Sequence, residues 1–471
     1  MTEINWMTAT ELVEAYKNGT TTPTEVVKTL IDRIDKINPK LNAFVTLVFD
    51  QALAAAKKAD GSYKKGTNRA MEGVPVAIKD NTFTKGIRTT AGSRMFEDFV
   101  PDKNSVQVER LLDAGAIIMG KTNLPEFAMG AITDNVLFGK TLNPWDITKT
   151  PGGSSGGAAV AVAAGMCPIA QGNDAGGSIR QPASFCGVFG MKPTFGRIPN
   201  YPKFPGNETR SHQGPLTRSV EDAALMLDIM SGPSQYDVNS LPEYPGKFHE
   251  EMKKGIKGLR IAYAYELGGD STIDDEVYAV TKKAISGFKD LGVSVKEVKP
   301  NWTIVENDVL VTVFSELYTK YENDKERFDK LAFPIYKPFL EMGTAYTNRD
   351  MVRVQYHRAK LCEQVACDFE KYDLLLTPTV TVTAFESAVM GPIGPTKINS
   401  KDPVSVGSYG RFLYPFNLTG QPAASVPCGF TSEGMPVGLQ IVGRRFEESN
   451  VLRAAAAFEK AYPWRQSKPD V

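Results

Sequence analysis

Histidine is almost missing from this chain: His212, His249 and His357 are the only three in 471 residues. None stands in a notable sequence context, so a histidine-based hydrolytic triad has little to be built from. Cysteine is scarce as well. Cys167, Cys186, Cys362, Cys367 and Cys428 are odd in number, scattered, and without C-x-x-C spacing. That argues against a disulfide scaffold and reads as small buried hydrophobes. Asp, Glu and His never cluster at metal-ligand spacing, so neither a metal nor any other cofactor is expected. An excess of one charge is also lacking, since Lys plus Arg and Asp plus Glu both number 54. No basic field advertises a nucleic-acid or membrane partner. No stretch approaches about 18 uninterrupted apolar residues, and Met1-Thr2-Glu3-Ile4-Asn5-Trp6 has no basic segment leading into an apolar run. The expectation is a cytoplasmic protein without signal peptide or membrane anchor.

What is present fits a soluble enzyme: 42% hydrophobic and 23% charged residues. Thr8-x-x-Glu11 and Thr22-x-x-Glu25 have capping-box spacing, and Pro23 falls where a first helical turn accepts proline. Val26, Val27, Leu30, Ile31 and Ile34 form the apolar stripe of the second helix. From residue 73 short apolar runs alternate with helices. Strands are expected at 73–78, 116–119, 259–262, 293–295, 374–376 and 437–442, and helices at about 104–114, 156–165, 219–231 and 273–290. Such alternation predicts an α/β protein with a large mixed, mostly parallel β-sheet covered by helices on both faces. Residues 198–217, rich in Pro, Gly and polar residues, read as a surface loop. No linker divides the chain, so residues 1–471 are expected to form a single domain. Its parts would be N-terminal helices (1–65), a core (70–230) and a variable substrate-pocket segment at about 300–400.

The densest signal is Pro151-Gly152-Gly153-Ser154-Ser155-Gly156-Gly157, followed by Asn173-Asp174-Ala175-Gly176-Gly177-Ser178-Ile179-Arg180. Glycine lets a substrate approach the backbone, and consecutive exposed N–H groups make a concave anion site. The N–H groups of Ala175, Gly176, Gly177 and Ser178 could therefore converge on an oxyanion beside the Ser178 hydroxyl. Between the two halves runs Ala158-Ala159-Val160-Ala161-Val162-Ala163-Ala164, a small-residue helix able to hold both loops at one place. Taken alone, each half is equally well a glycine-rich turn.

The run from Gly152 to Thr194 resembles the amidase signature family, which includes fatty acid amide hydrolase, malonamidase, peptide amidase, nylon-oligomer hydrolase and the A chains of amidotransferases. Supporting matches are Gly73-Val74-Pro75-Val76-Ala77-Ile78-Lys79-Asp80-Asn81, Gly120-Lys121-Thr122-Asn123-Leu124-Pro125-Glu126-Phe127, Asn143-Pro144-Trp145 and Pro436-Val437-Gly438-Leu439-Gln440. Ser154 and Ser178 stand 24 positions apart, as the family's two serines do. The resemblance implies a Ser-Ser-Lys triad: Ser178 as nucleophile, Ser154 as relay after a cis peptide bond with Gly153, and Lys79 as base. It makes Asp174 and Arg180 braces of the loop. The acyl-pocket wall would include Phe127, Ala128, Met129 and residues between Phe314 and Tyr346. It implies an amidase forming an acyl-enzyme on a small-molecule amide, as a monomer or homodimer. A urethane or nylon-oligomer hydrolase and the glutamine-hydrolysing component of an amidotransferase complex are the alternatives.

Two motifs mislead. Gly115-Ala116-Ile117-Ile118-Met119-Gly120-Lys121-Thr122 matches a P-loop in letters, but its middle residues read as the strand itself and Pro125 follows within the turn. Gly152-Gly153-Ser154-Ser155-Gly156 matches a G-x-S-x-G elbow, which requires an acid and a histidine further along the chain.

Overall fold

The computed structural model describes residues 3–269, 271–387, 395, 397–400 and 408–471. Eleven strands form one sheet: β1 (Phe44–Leu47), β2 (Pro75–Lys79), β3 (Ile117–Thr122), β4 (Ile169–Asp174), β5 (Phe189–Lys192), β6 (His212–Thr217), β7 (Ile261–Tyr263), β8 (Val295–Glu297), β9 (Leu374–Pro378), β10 (Ala423–Phe430) and β11 (Pro436–Gly443). Their spatial order is β1-β3-β2-β4-β6-β5-β10-β11-β9-β7-β8.

Successive strand residues point to opposite faces, and the core divides accordingly. Val76 and Ile78 of β2, Ile169 of β4 and Ile441 of β11 join one buried cluster with the helices Val220–Met230, Asp275–Asp290 and Glu448–Ala461. Ala77 and Ala170 face the other way, onto the helices Pro23–Leu41 and Gly156–Ala163. Leu375 and Val442 lie against Leu361, Val365 and Phe369 of the helix Asn348–Phe369. Both faces are thus covered, as the alternation of runs implied.

The parallel majority is not borne out. Pairs β2–β3, β2–β4, β7–β8 and β7–β9 are parallel. The six others are antiparallel. The reason is local: β10 and β11 form a hairpin through the tight turn at Ser432-Glu433-Gly434, and β6 runs between β4 and β5 against both. The expected surface loop at 198–217 is corrected in the same place. His212–Thr217 is a central strand buried at every residue, and Gln213 accepts a hydrogen bond from Gln171 at 2.8 Å.

Both N-terminal capping boxes form as expected. A third helix, Phe49–Lys65, follows with no side-chain cap and was not evident in the sequence. Cys167 and Cys186 are buried, but Cys362 and Cys428 are only partly so and Cys367 is exposed, so the buried reading holds for two of five. No helix among the described residues is long and apolar enough to cross a membrane.

Candidate active site

Parallel strands β2 and β4 lie side by side, and their C-terminal ends bring Lys79 and Asn173 together. The glycine-rich turn before the helix Gly156–Ala163 meets them. Gly153 is required there, because a Cβ at that position would come within 2.5 Å of the Gly130 carbonyl oxygen. The peptide bond between Gly153 and Ser154 is cis. Ser155 donates its backbone N–H to the Ser178 carbonyl at 3.1 Å, which ties the two serine loops together.

Lys79 is fully buried. Its Nζ lies 2.7 Å from Ser154 Oγ, 2.9 Å from Ser155 Oγ and 2.7 Å from Asn173 Oδ1. Burial pushes its pKa well below that of an ordinary lysine, and Asp174 opposes this only in part. A neutral amine has two donors and one lone pair. Asn173 Oδ1 can only accept, so it takes one N–H. Ser155 Oγ donates its own proton to the Asn173 carbonyl at 3.2 Å and so accepts the second. The lone pair is left for the hydroxyl proton of Ser154. The neighbouring Asp80 does not neutralise Lys79: it accepts from the N–H and hydroxyl of Thr90 and faces Lys121.

The loop after β4 is organised by Asp174. One oxygen accepts from Gly177 N (2.7 Å), Arg180 Nη2 (2.9 Å) and Asn417 Nδ2 (2.8 Å). The other accepts from Ile179 N (3.2 Å) and Arg180 Nε (2.9 Å). Burial alone would raise this carboxyl, but the Arg180 charge and these hydrogen bonds hold it far below the usual carboxylate range. Arg180 is equally buried and spends its remaining donors on Leu413 O, Gln440 Oε1 and Asn417 Oδ1. Gly177 has φ +114°, and a Cβ there would come within 2.2 Å of Leu413 Cδ1.

One expected oxyanion donor is thereby corrected. The Gly177 N–H is committed to Asp174, because the carboxylate that braces the loop lies directly beneath it. The N–H groups of Ala175, Gly176 and Ser178 remain, and these three residues line the open space.

Two chambers meet at Ser178. The larger, about 430 Å³, is walled by Phe127, Ala128 and Met129 and by Phe314, Leu317 and Phe339 from the variable segment. The smaller, about 70 Å³, includes Ser154, Asn173 and Ser178. Glu126 ties the wall to the variable segment by accepting from Ser93 Oγ (2.5 Å) and Phe333 N (2.7 Å). Burial raises its pKa to about 7. No histidine lines either chamber. His212 is buried beneath the loop with Nδ1 at 2.8 Å from Arg210 O, while His249 and His357 pair with Glu221 and Asp308.

The sequence profile of the amidase family matches residues 25–452. The chain belongs to the amidase signature family. It is 38% identical to the A chain of glutamyl-tRNA(Gln) amidotransferase from Caldanaerobacter subterraneus subsp. tengcongensis, covering 99% of this chain and 98% of that one. It is 36% identical to an acylamidase of Rhodococcus erythropolis, covering 100% and 98%. The crystal structure of a bacterial aryl acylamidase of the same family superposes with a TM-score of 0.91 at 29% identity, over 98% of this chain and 97% of that chain.

Several residues of this family member's site gave little or no signal in the sequence. Ser155 was hidden by its neighbour Ser154, although a serine pair after a glycine pair was a usable signal. Gln440 lay inside a motif already noticed. Asn417 and Arg210 gave none, because nothing in their local sequence points to a loop more than 200 or about 35 residues away.

Proposed function

We propose that the protein hydrolyses the carbon–nitrogen bond of an amide, with Ser178 as nucleophile, Ser154 as proton relay and Lys79 as base. The observation that carries this reading is the buried Lys79 amine, whose Nζ lies 2.7 Å from Ser154 Oγ beside the chamber that Ser178 shares. In the first half-reaction Ser178 gives its proton to Ser154, which passes its own to Lys79. Ser178 Oγ bonds to the carbonyl carbon, and the oxyanion accepts from the N–H groups of Ala175, Gly176 and Ser178. As the carbon–nitrogen bond breaks, Ser154 protonates the leaving amine and regains a proton from Lys79. Water then attacks the acyl-enzyme by the same route, releasing the acid and free Ser178.

The larger chamber's aromatic walls favour an aryl or medium-sized apolar acyl group, and the likeness to acylamidases supports an amide substrate. The likeness to the A chain of an amidotransferase supports a second reading, glutamine hydrolysis within a complex. Purified protein assayed against an anilide, an aliphatic amide, glutamine and a carbamate ester separates the readings. Turnover of the anilide well above glutamine is expected, and the reverse order would favour the second. Preferred cleavage of the carbamate would place the same triad in a urethane hydrolase. Ser178→Ala should abolish turnover while leaving the fold intact, and a fluorophosphonate should label Ser178.

A further inference from the structure

Lys320 stands where the two chambers join and lines both. It lies near the end of the helix Glu306–Tyr321. Its Nζ sits 5.6 Å from the ring centroid of Phe96, 5.6 Å from Phe127, 5.5 Å from Phe204 and 5.0 Å from Tyr321. Among the described residues no carboxylate pairs with it and no acceptor takes its protons. Glu316, one turn earlier, is occupied by Arg210 at 3.1 Å. The smaller chamber's described lining contains two lysines, Lys203 and Lys320, and no Asp or Glu. Lys203 is held by Glu208 at 2.8 Å. Four ring faces stabilise a cation but leave its N–H donors unused. Burial, with help from Lys203, brings the Lys320 pKa down to about 8.

We propose that Lys320 binds a carboxylate carried by the amine half of the substrate, so that the preferred substrates are N-acylated small amino acids. The inference rests on the amidase reading. In that reading the leaving nitrogen must face Ser154, and Ser154 lines only the smaller chamber of the two. The acyl group then fills the larger, aromatic one. A chamber of about 70 Å³ admits a short amine such as glycine. Its carboxylate meets the donors that the protein leaves open, in a cationic chamber that neutral amides cannot exploit. Lys320 is a specificity-determining residue here and takes no part in the bond changes.

The test compares N-phenylacetylglycine with N-phenylacetylglycinamide, which differ by a carboxylate against a neutral amide of nearly the same shape. With the full chain, kcat/KM is expected to favour the carboxylate roughly tenfold to a hundredfold, mostly through KM. Lys320→Met should bring the ratio to about one, and Lys320→Arg should keep most of the preference. A wild-type ratio of one or below overturns the proposal without any variant. So does a Lys320→Met enzyme that loses both activities in parallel, since that marks a packing role. If neither glycine derivative is cleaved but a simple anilide is, the substrate class falls and the amidase reading stands. If no amide is cleaved and fluorophosphonate leaves Ser178 unlabelled, the amidase reading falls and takes this one with it.

Discussion

Lys79 and its three oxygen neighbours set a protonation state that can be measured. Because burial lowers its pKa, kcat/KM should rise with pH along a limb lying well below the value of a solvated lysine. Asn173→Asp places a charge 2.7 Å from Nζ where an amide oxygen now sits. It should favour the ammonium and move that limb to higher pH; a limb that stays put would detach Lys79 from the chemistry. Lys79→Ala should cost roughly a thousandfold or more on amides, and less on esters, whose leaving alkoxide needs protonation less. His249 and His357 pair with carboxylates outside both chambers, and replacing them together should leave the rate within a few-fold. His212 is different in kind, since it is buried against the carbonyls of Asp174 and Arg210.

At the scale of the element, the loop from Asn173 to Arg180 depends on one buried ion pair. Its folded-state carboxyl pKa is depressed, so the pair's stabilisation is present above the ordinary Asp range. It is lost only as pH falls through the folded value. Asp174→Asn at neutral pH leaves the Arg180 charge unmatched and should cost about 3–5 kcal/mol in denaturant unfolding. A loss under about 1 kcal/mol would contradict the network. Arg180→Lys should not rescue it, because a lysine cannot reproduce the two-pronged contact. The sequence announced this loop through its glycine pairs and both first helices through their capping boxes, since such signals are local. It concealed β6: His-Gln-Gly-Pro-Leu-Thr has no apolar run, and only its place between β4 and β5 makes it a strand. The same rule cost the Gly177 donor, because which N–H a carboxylate claims depends on how the turn folds back. Glu126→Gln keeps the shape of the tie to Phe333 but removes a group titrating near neutrality. Activity that depends on chamber shape alone should survive it, with any inflection near pH 7 removed from KM.

For the molecule as a whole, the six expected strands were those marked by closely spaced aliphatic residues, although the one at 293–295 meets β8 only at Val295. The small-residue strands, such as Ala-Ala-Ser-Val-Pro-Cys-Gly-Phe in β10, needed the sheet around them to be recognised. The sheet's order also decides which distant residues meet, and here the serine loop is finished from far away. Asn417 reaches Asp174 across 243 residues, and Gln440 reaches Arg180 across 260. During synthesis the ribosome would deliver Asp174 and then take about ten seconds to a minute to deliver those two partners. Until they emerge, the loop has its charges but not the groups that satisfy them. A nascent chain stalled before Asn417 should therefore resist fluorophosphonate labelling at Ser178 even though Lys79, Ser154 and Ser178 have all been made. On the proposed mechanism, activity is a late event in this chain's biosynthesis, timed by a helix and a strand that carry none of the proposed reacting groups.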